Sequence, residues 1–118
     1  MNRVGYFEFS ALDMKRAMTF WEKTFGWKFQ KYEGMDYYGV QTGTEGEGID
    51  GGLSPREKDN QVVNNISVAS IDQTVKEILK NGGKILVDKS EIPGVGFYAI
   101  FADSEDNTFS IMENAQPE

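Results

Sequence analysis

Residues 4–26 read Val4-Gly5-Tyr6-Phe7-Glu8-Phe9-Ser10-Ala11-Leu12-Asp13-Met14-Lys15-Arg16-Ala17-Met18-Thr19-Phe20-Trp21-Glu22-Lys23-Thr24-Phe25-Gly26. Val4 to Phe9 is an apolar-rich run suited to a strand. Asp13 is a good helix N-cap, because its carboxylate can accept a free amide of the first turn. Met14, Ala17, Met18, Trp21 and Phe25 follow at the spacing of one helix face. Gly26 suits the left-handed residue that ends a helix. The pattern returns 57 residues on: Ser70 falls on Asp13, Ile66 on Phe9, Val75 on Met18, Ile78 on Trp21 and Gly83 on Gly26. Ser70 and Gln73 make a capping-box pair, and Gly82-Gly83 stops the second helix.

Between and after these helices lie short strand-like runs: Trp27 to Tyr32 and Tyr37 to Thr42, joined near Gly34, then Ile49 to Leu53. In the second copy Val62 to Val68 precedes the helix, and Lys84 to Lys89, Phe97 to Ala102 and Thr108 to Met112 follow it. Pro93-Gly94 and Asp103 to Asn107 supply turns. The order is therefore βαβββ twice, with a polar link from Ser54 to Gln61 that contains Pro55. One such unit is too small to bury a core alone. The expectation is one α+β domain over residues 1–118, its units spanning about 1–54 and 62–114. They would pair into a curved sheet with helices outside and a central cleft.

The chain has 118 residues, no histidine, no cysteine and a net charge of −7. Disulfides, thiol nucleophiles and Ser-His-Asp triads are excluded. Clustered cations for phosphate neutralisation are missing, which argues against a nucleic-acid partner. No apolar run reaches the roughly 20 residues of a membrane helix, and Met1-Asn2-Arg3-Val4-Gly5 is unlike a signal peptide. A cytoplasmic protein without a membrane partner is expected. The acidic balance aids solubility and suits a cationic ligand.

Five segments carry a resemblance: Leu12 to Trp21, Thr24-Phe25-Gly26-Trp27, Ile49-Asp50-Gly51-Gly52-Leu53, Gly82-Gly83-Lys84, and Phe101-Ala102-Asp103-Ser104-Glu105-Asp106-Asn107. In this order they resemble the vicinal oxygen chelate superfamily of glyoxalase I, extradiol dioxygenases, and bleomycin- and fosfomycin-resistance proteins. The resemblance covers nearly the whole chain and implies a fold of two βαβββ units and a homodimer. It also implies where a metal would be held in metal-dependent members. By pattern, those positions fall on Tyr6, Val63 and Ser110, with a fourth in Asp50-Gly51-Gly52. Valine and glycine side chains offer no lone pair, and transition-metal sites draw on imidazole, thiolate or several carboxylates. No metal and no cofactor is expected.

Strand alternation sorts the faces. Phe7, Phe9 and Ala11 should face the first helix, leaving Tyr6, Glu8 and Ser10 toward the cleft. Ile66 and Val68 should face the second helix, leaving Val63, Asn65 and Ser67. Thr108, Ser110 and Met112 share a face. The expected ligand site is Tyr6, Glu8, Asn65, Ser110 and Met112, with Tyr38 or Trp27 as further candidates. Glu8 is the one candidate catalytic group: a shielded carboxylate tends toward a raised pKa and can act as a base. It could instead be paired with a Lys or Arg, or bonded to Tyr6. Tyr6 could stack on a ligand or fill the space a metal site leaves, and Asn65 could satisfy strand backbone. Thr42 to Gly48 lacks the Lys-Ser/Thr of a phosphate loop. Asp103, Glu105 and Asn107 echo a calcium loop but lack its glycine and final glutamate, so they read as a turn. Asn114 to Glu118 reads as a tail.

The reading is a metal-independent small-molecule-binding protein. The alternative is a lyase, isomerase or dioxygenase-like enzyme that uses Glu8 or an atypical metal site. A regulatory relative that has lost its ligand is a third class.

Overall fold

The structure, a computed structural model, describes residues 2–57 and 62–115. Chain contacts divide it into two units, Tyr6–Val63 and Met1–Gly5 with Asn64–Glu118. The Tyr6–Val63 unit takes most of β1 (Arg3–Ala11), then α1 (Met14–Phe25), β2 (Lys28–Lys31), β3 (Tyr38–Gln41) and β4 (Gly51–Pro55). Its strands lie in the order β2-β3-β4-β1, with β1 and β4 parallel and the other pairs antiparallel. Asp13 caps α1 by accepting the Arg16 amide at 2.9 Å, and Gly26 ends it at φ 74°. Phe9, Met14, Ala17, Met18, Phe29 and Tyr38 pack on buried Ala11, Val40 and Leu53. The Trp21 and Trp27 rings stack at 4.4 Å beside Phe9.

The other unit holds most of β5 (Val62–Ser67), then α2 (Ile71–Lys80), β6 (Lys84–Ile92), β7 (Gly96–Ala102) and β8 (Thr108–Asn114), in the order β5-β8-β7-β6. Only β5 and β8 run parallel. Ser70 accepts the Gln73 amide at 3.2 Å, and Glu113 reaches from β8 to accept the Ile71 amide at 2.8 Å. One turn of α2 thus has two free donors satisfied, one locally and one from the sheet. Val68, Ile71, Ala99 and Ile111 form the core beneath α2. Asp103 closes the 103–107 turn, accepting the Glu105 and Asn107 amides at 2.9 Å each. These bonds hold its carboxyl below the usual range, those from Asn107 foremost.

Both units therefore carry the expected βαβββ order in an α+β architecture. Three details differ. The left-handed glycine after α2 is Gly82, at φ 95°, while Gly83 is clamped between Ile78 and the Ala102 carbonyl with no room for a Cβ. Strand β6 continues to Ile92 rather than ending at Lys89. Ser54 and Pro55 belong to β4 rather than to the link, whose residues 58–61 lie outside the described residues. Among the described residues no helix is long and apolar enough to cross a membrane.

Candidate functional site

Strand register builds the site. Across the Tyr6–Val63 sheet, Gln30 pairs with Gly39, Gly39 with Gly52, and Gly52 with Glu8. The neighbouring row runs Lys31, Tyr38, Leu53, Phe9, and its apolar members pack under α1. Since side chains alternate across a strand, the Gln30-to-Glu8 row faces the other way. Its two middle members are glycines, so a strip of bare backbone lies on the face away from the helix.

Three tyrosines occupy the space over that strip. A Cβ on Gly39 would come within 3.1 Å of Tyr32 Cε1, and one on Gly52 would run into the Tyr37 and Tyr6 hydroxyls. The Tyr32 and Tyr37 rings meet edge to face at 5.2 Å. Backbone pairing beyond β3, from the Tyr32 amide to the Tyr37 carbonyl at 2.9 Å, places both rings. The Tyr37 hydroxyl donates to Glu8 Oε2 at 3.0 Å and is hydrogen-bonded to the Tyr6 hydroxyl. A groove of about 450 Å³ opens beside this chain, with Tyr6, Tyr32, Lys28, Gln30, Gly39 and Gln41 in its wall.

Partial burial dominates the electrostatics. It raises the Glu8 pKa above the usual 4.5, against the lowering effect of the Tyr37 hydrogen bond. It also lifts Tyr6 to about 12. Tyr37 is pushed well above the ordinary phenol range, by burial first and then by the Glu8 charge. Both phenols stay protonated at neutral pH. Among the described residues no Lys or Arg forms an ion pair with Glu8.

The sequence-derived residues divide. Tyr6 and Glu8 come together, linked through Tyr37 rather than bonded to each other. Asn65, Ser110 and Met112 belong to the other unit, where Asn65 pairs with Ser110 and Ser67 with Met112. Their neighbours Ile66 and Ile111 lie beneath α2, so alternation turns Asn65, Ser110 and Met112 away from that helix. Tyr38 and Trp27 pack instead in the α1 core. Ser10 is buried, with Arg56 donating to its hydroxyl at 3.2 Å and its carbonyl at 3.0 Å. Asp50 lies at the groove but turns into its own loop, accepting the Thr42 amide at 3.0 Å and the Thr42 hydroxyl at 3.3 Å. Tyr37, Tyr32, Gly39 and Gly52 were missed. Their signal lies in register: Gly39 and Gly52 are direct partners on neighbouring strands, which leaves the rings their room but is not read from either strand alone.

Among the described residues, no group of three His, Cys, Asp or Glu could hold a metal ion. The family model of the Glyoxalase/Bleomycin resistance protein/Dioxygenase superfamily matches residues 3–111.

The chain belongs to that superfamily.

A glyoxylase-like domain-containing protein of Didymella fabae is 31% identical to this superfamily member, over 92% of this chain and 91% of its own. Among solved structures, a hypothetical protein of Bacillus halodurans C-125 superposes at TM-score 0.69 with 12% identity, over 98% of this chain and 96% of the other. The methylmalonyl-CoA epimerase of Mycobacterium tuberculosis gives 0.66 with 9% identity, over 95% and 87%. A variant of the Streptomyces coelicolor methylmalonyl-CoA epimerase in complex with 2-nitronate-propionyl-CoA gives 0.66 with 14% identity, over 100% and 98%. At these identities the likeness is one of fold.

Proposed function

We propose that this superfamily member binds a small molecule on the tyrosine-covered face of the Tyr6–Val63 sheet, and does so without a metal. The observation that carries the reading is Glu8: a partly buried carboxylate with no ion pair among the described residues, hydrogen-bonded through Tyr37 to a tyrosine in the wall of a groove. Aromatic walls with a few convergent polar groups are the usual make-up of a ligand site. The donor set does not fit a transition metal. Val63 has no lone pair, Asp50 is engaged by Thr42, and the Tyr6 hydroxyl is hydrogen-bonded to Tyr37. The uncompensated Glu8 charge and the net charge of −7 favour a cationic ligand. Calorimetry of a cation panel on the parent and on Glu8→Gln tests this reading. Hits that bind both proteins equally remove Glu8 from the site, and a stoichiometric transition metal in the purified protein overturns metal independence.

A second reading is isomerase-like proton transfer, with Glu8 as the base. Its raised pKa supports it, and methylmalonyl-CoA epimerases share the fold. Exchange of an acidic substrate C–H for deuterium, abolished in Glu8→Gln, would favour this reading over binding alone.

A homodimer belongs to the same proposal. Among the described residues β6 pairs with β7 alone and exposes Leu86 and Val87, an edge of the kind a second copy can cover. Light scattering at micromolar concentration that gives a strict 13.3 kDa monomer overturns it.

A further inference from the structure

The supply of hydroxyl hydrogens decides what the groove presents to a ligand. A phenol has one hydrogen to donate. Tyr37 gives its hydrogen to Glu8 when that carboxylate is ionised. The bond between the two tyrosines must then be donated by Tyr6. With its hydrogen committed inward, Tyr6 offers the groove only oxygen lone pairs. If Glu8 takes up a proton, the chain can turn over: Glu8 donates to Tyr37, Tyr37 donates to Tyr6, and the Tyr6 hydrogen is released toward the groove.

We propose that Glu8, Tyr37 and Tyr6 form a reversible hydrogen-bond relay, in which the charge on Glu8 sets whether Tyr6 accepts from or donates to the bound molecule. This deepens the binding reading and rests on it. With Glu8 ionised, the site selects a ligand that carries hydrogen-bond donors, best a primary or secondary ammonium. With Glu8 protonated, it selects an acceptor such as a carbonyl. Tyr37 is a positioning residue: it is not in the wall of the groove and acts through Tyr6. The same path can move a proton. A ligand X–H bond breaks as Tyr6 Oη gains that hydrogen, Tyr6 passes its own hydrogen to Tyr37 Oη, and the Tyr37 hydrogen goes to Glu8 Oε2. The ligand is left as the conjugate base and Glu8 as the acid.

The strip of glycine beneath the relay leaves the space that the Tyr37 and Tyr6 hydroxyls occupy. Strand β4 presents only Gly52 opposite Glu8. Among the described residues, the titratable and charged groups facing the relay are its own members, Tyr32 against the Tyr37 ring, and Lys28 and Asp50 at the groove. Burial holds the Glu8 pKa above its usual value, toward the range in which a change of pH can turn the chain over.

The test follows carbon-13 resonances of the tyrosine Cζ atoms and the Glu8 carboxyl between about pH 4 and 8. The expected result is that Tyr6 and Tyr37 shift with the Glu8 midpoint in the parent. In Tyr37→Phe, Tyr6 should stay flat while Glu8 still titrates. Glu8→Gln, which leaves both rings in place, should abolish the shift of both. A Tyr6 signal that ignores Glu8 in the parent, or still follows it in Tyr37→Phe, overturns the relay. The ligand class is read with benzylammonium and benzyltrimethylammonium, which share charge and ring but differ in donors. Above the Glu8 midpoint, benzylammonium should bind about tenfold more tightly, the scale of one charge-assisted hydrogen bond. Equal binding, or binding of neither, overturns the ligand class. A compound that binds at the groove and needs Glu8, in a protein whose Tyr6 ignores Glu8, sinks the relay and leaves the binding reading standing.

Discussion

Gly52 lies directly opposite Glu8 in the register of β4 and β1, and the space its missing side chain leaves is filled by the Tyr37 hydroxyl. One backbone pairing thus decides both where the carboxylate points and what it touches. It follows that Gly52→Ala should be costly although its backbone needs no special conformation. A methyl group would collide with Tyr37 and Tyr6 together. Overpacking of this kind costs about 1–3 kcal/mol, to be read as a lower midpoint in urea unfolding. The same variant should release Tyr37 from Glu8, visible as a changed Glu8 midpoint. An alanine protein of parent stability would mean that the rings have room the structure does not show.

The raised Glu8 pKa makes a signed prediction about stability. The native state holds the Glu8 proton to higher pH than the unfolded chain, whose carboxyl titrates near the usual 4.5. Over that interval the native state binds more protons, so unfolding free energy falls as pH rises. The Glu8 contribution is fully present below about the unfolded value, is lost as pH climbs through the raised native value, and is flat above it. Glu8→Gln should remove this slope. The measurement is unfolding free energy against pH for both proteins. A parent that gains stability over that interval relative to Glu8→Gln would reverse the sign and contradict a desolvated carboxylate.

The helix frame was legible in the sequence because its signals are local. Asp13 and Ser70 cap the two helices as their side chains and spacing require, and Phe9, Met18 and Val75 fall on buried faces. Capping of this kind is worth about 1 kcal/mol, so Asp13→Ala should lower the unfolding free energy by roughly that amount. Half of the site was harder to read. Tyr6 and Glu8 follow from alternation along one strand, but Tyr37 lies just before β3 begins, and the pair Tyr37-Tyr38 offers alternation two opposite choices. The helix-side core took Tyr38, beside Val40 and Leu53, which sent Tyr37 to the other face. Only the register that sets Gly39 against Gly52 reveals the bare strip the rings cover, and register between strands distant in sequence is not a local signal.

The neighbouring residues Glu8 and Phe9 should separate function from folding in one pair of variants. Phe9 turns toward α1, meeting the Trp21 ring edge-on at 5.8 Å and the Phe7 ring at 5.9 Å. Phe9→Ala removes that ring from a packed aromatic cluster and should cost about 3–5 kcal/mol, read by calorimetric or urea unfolding. Glu8→Gln keeps the shape, retains a carbonyl to accept from Tyr37, and leaves every helix-facing side chain in place. It should fold as the parent does and lose affinity for a cationic ligand by about 1–3 kcal/mol, the scale of a hydrogen bond to a charged group in a shielded site. Thermal-shift screening supplies the ligand and calorimetry the difference. A Glu8→Gln protein that unfolds as easily as Phe9→Ala would make Glu8 a structural carboxylate. One that binds every cationic hit at parent strength would leave the Tyr6 groove without its charge.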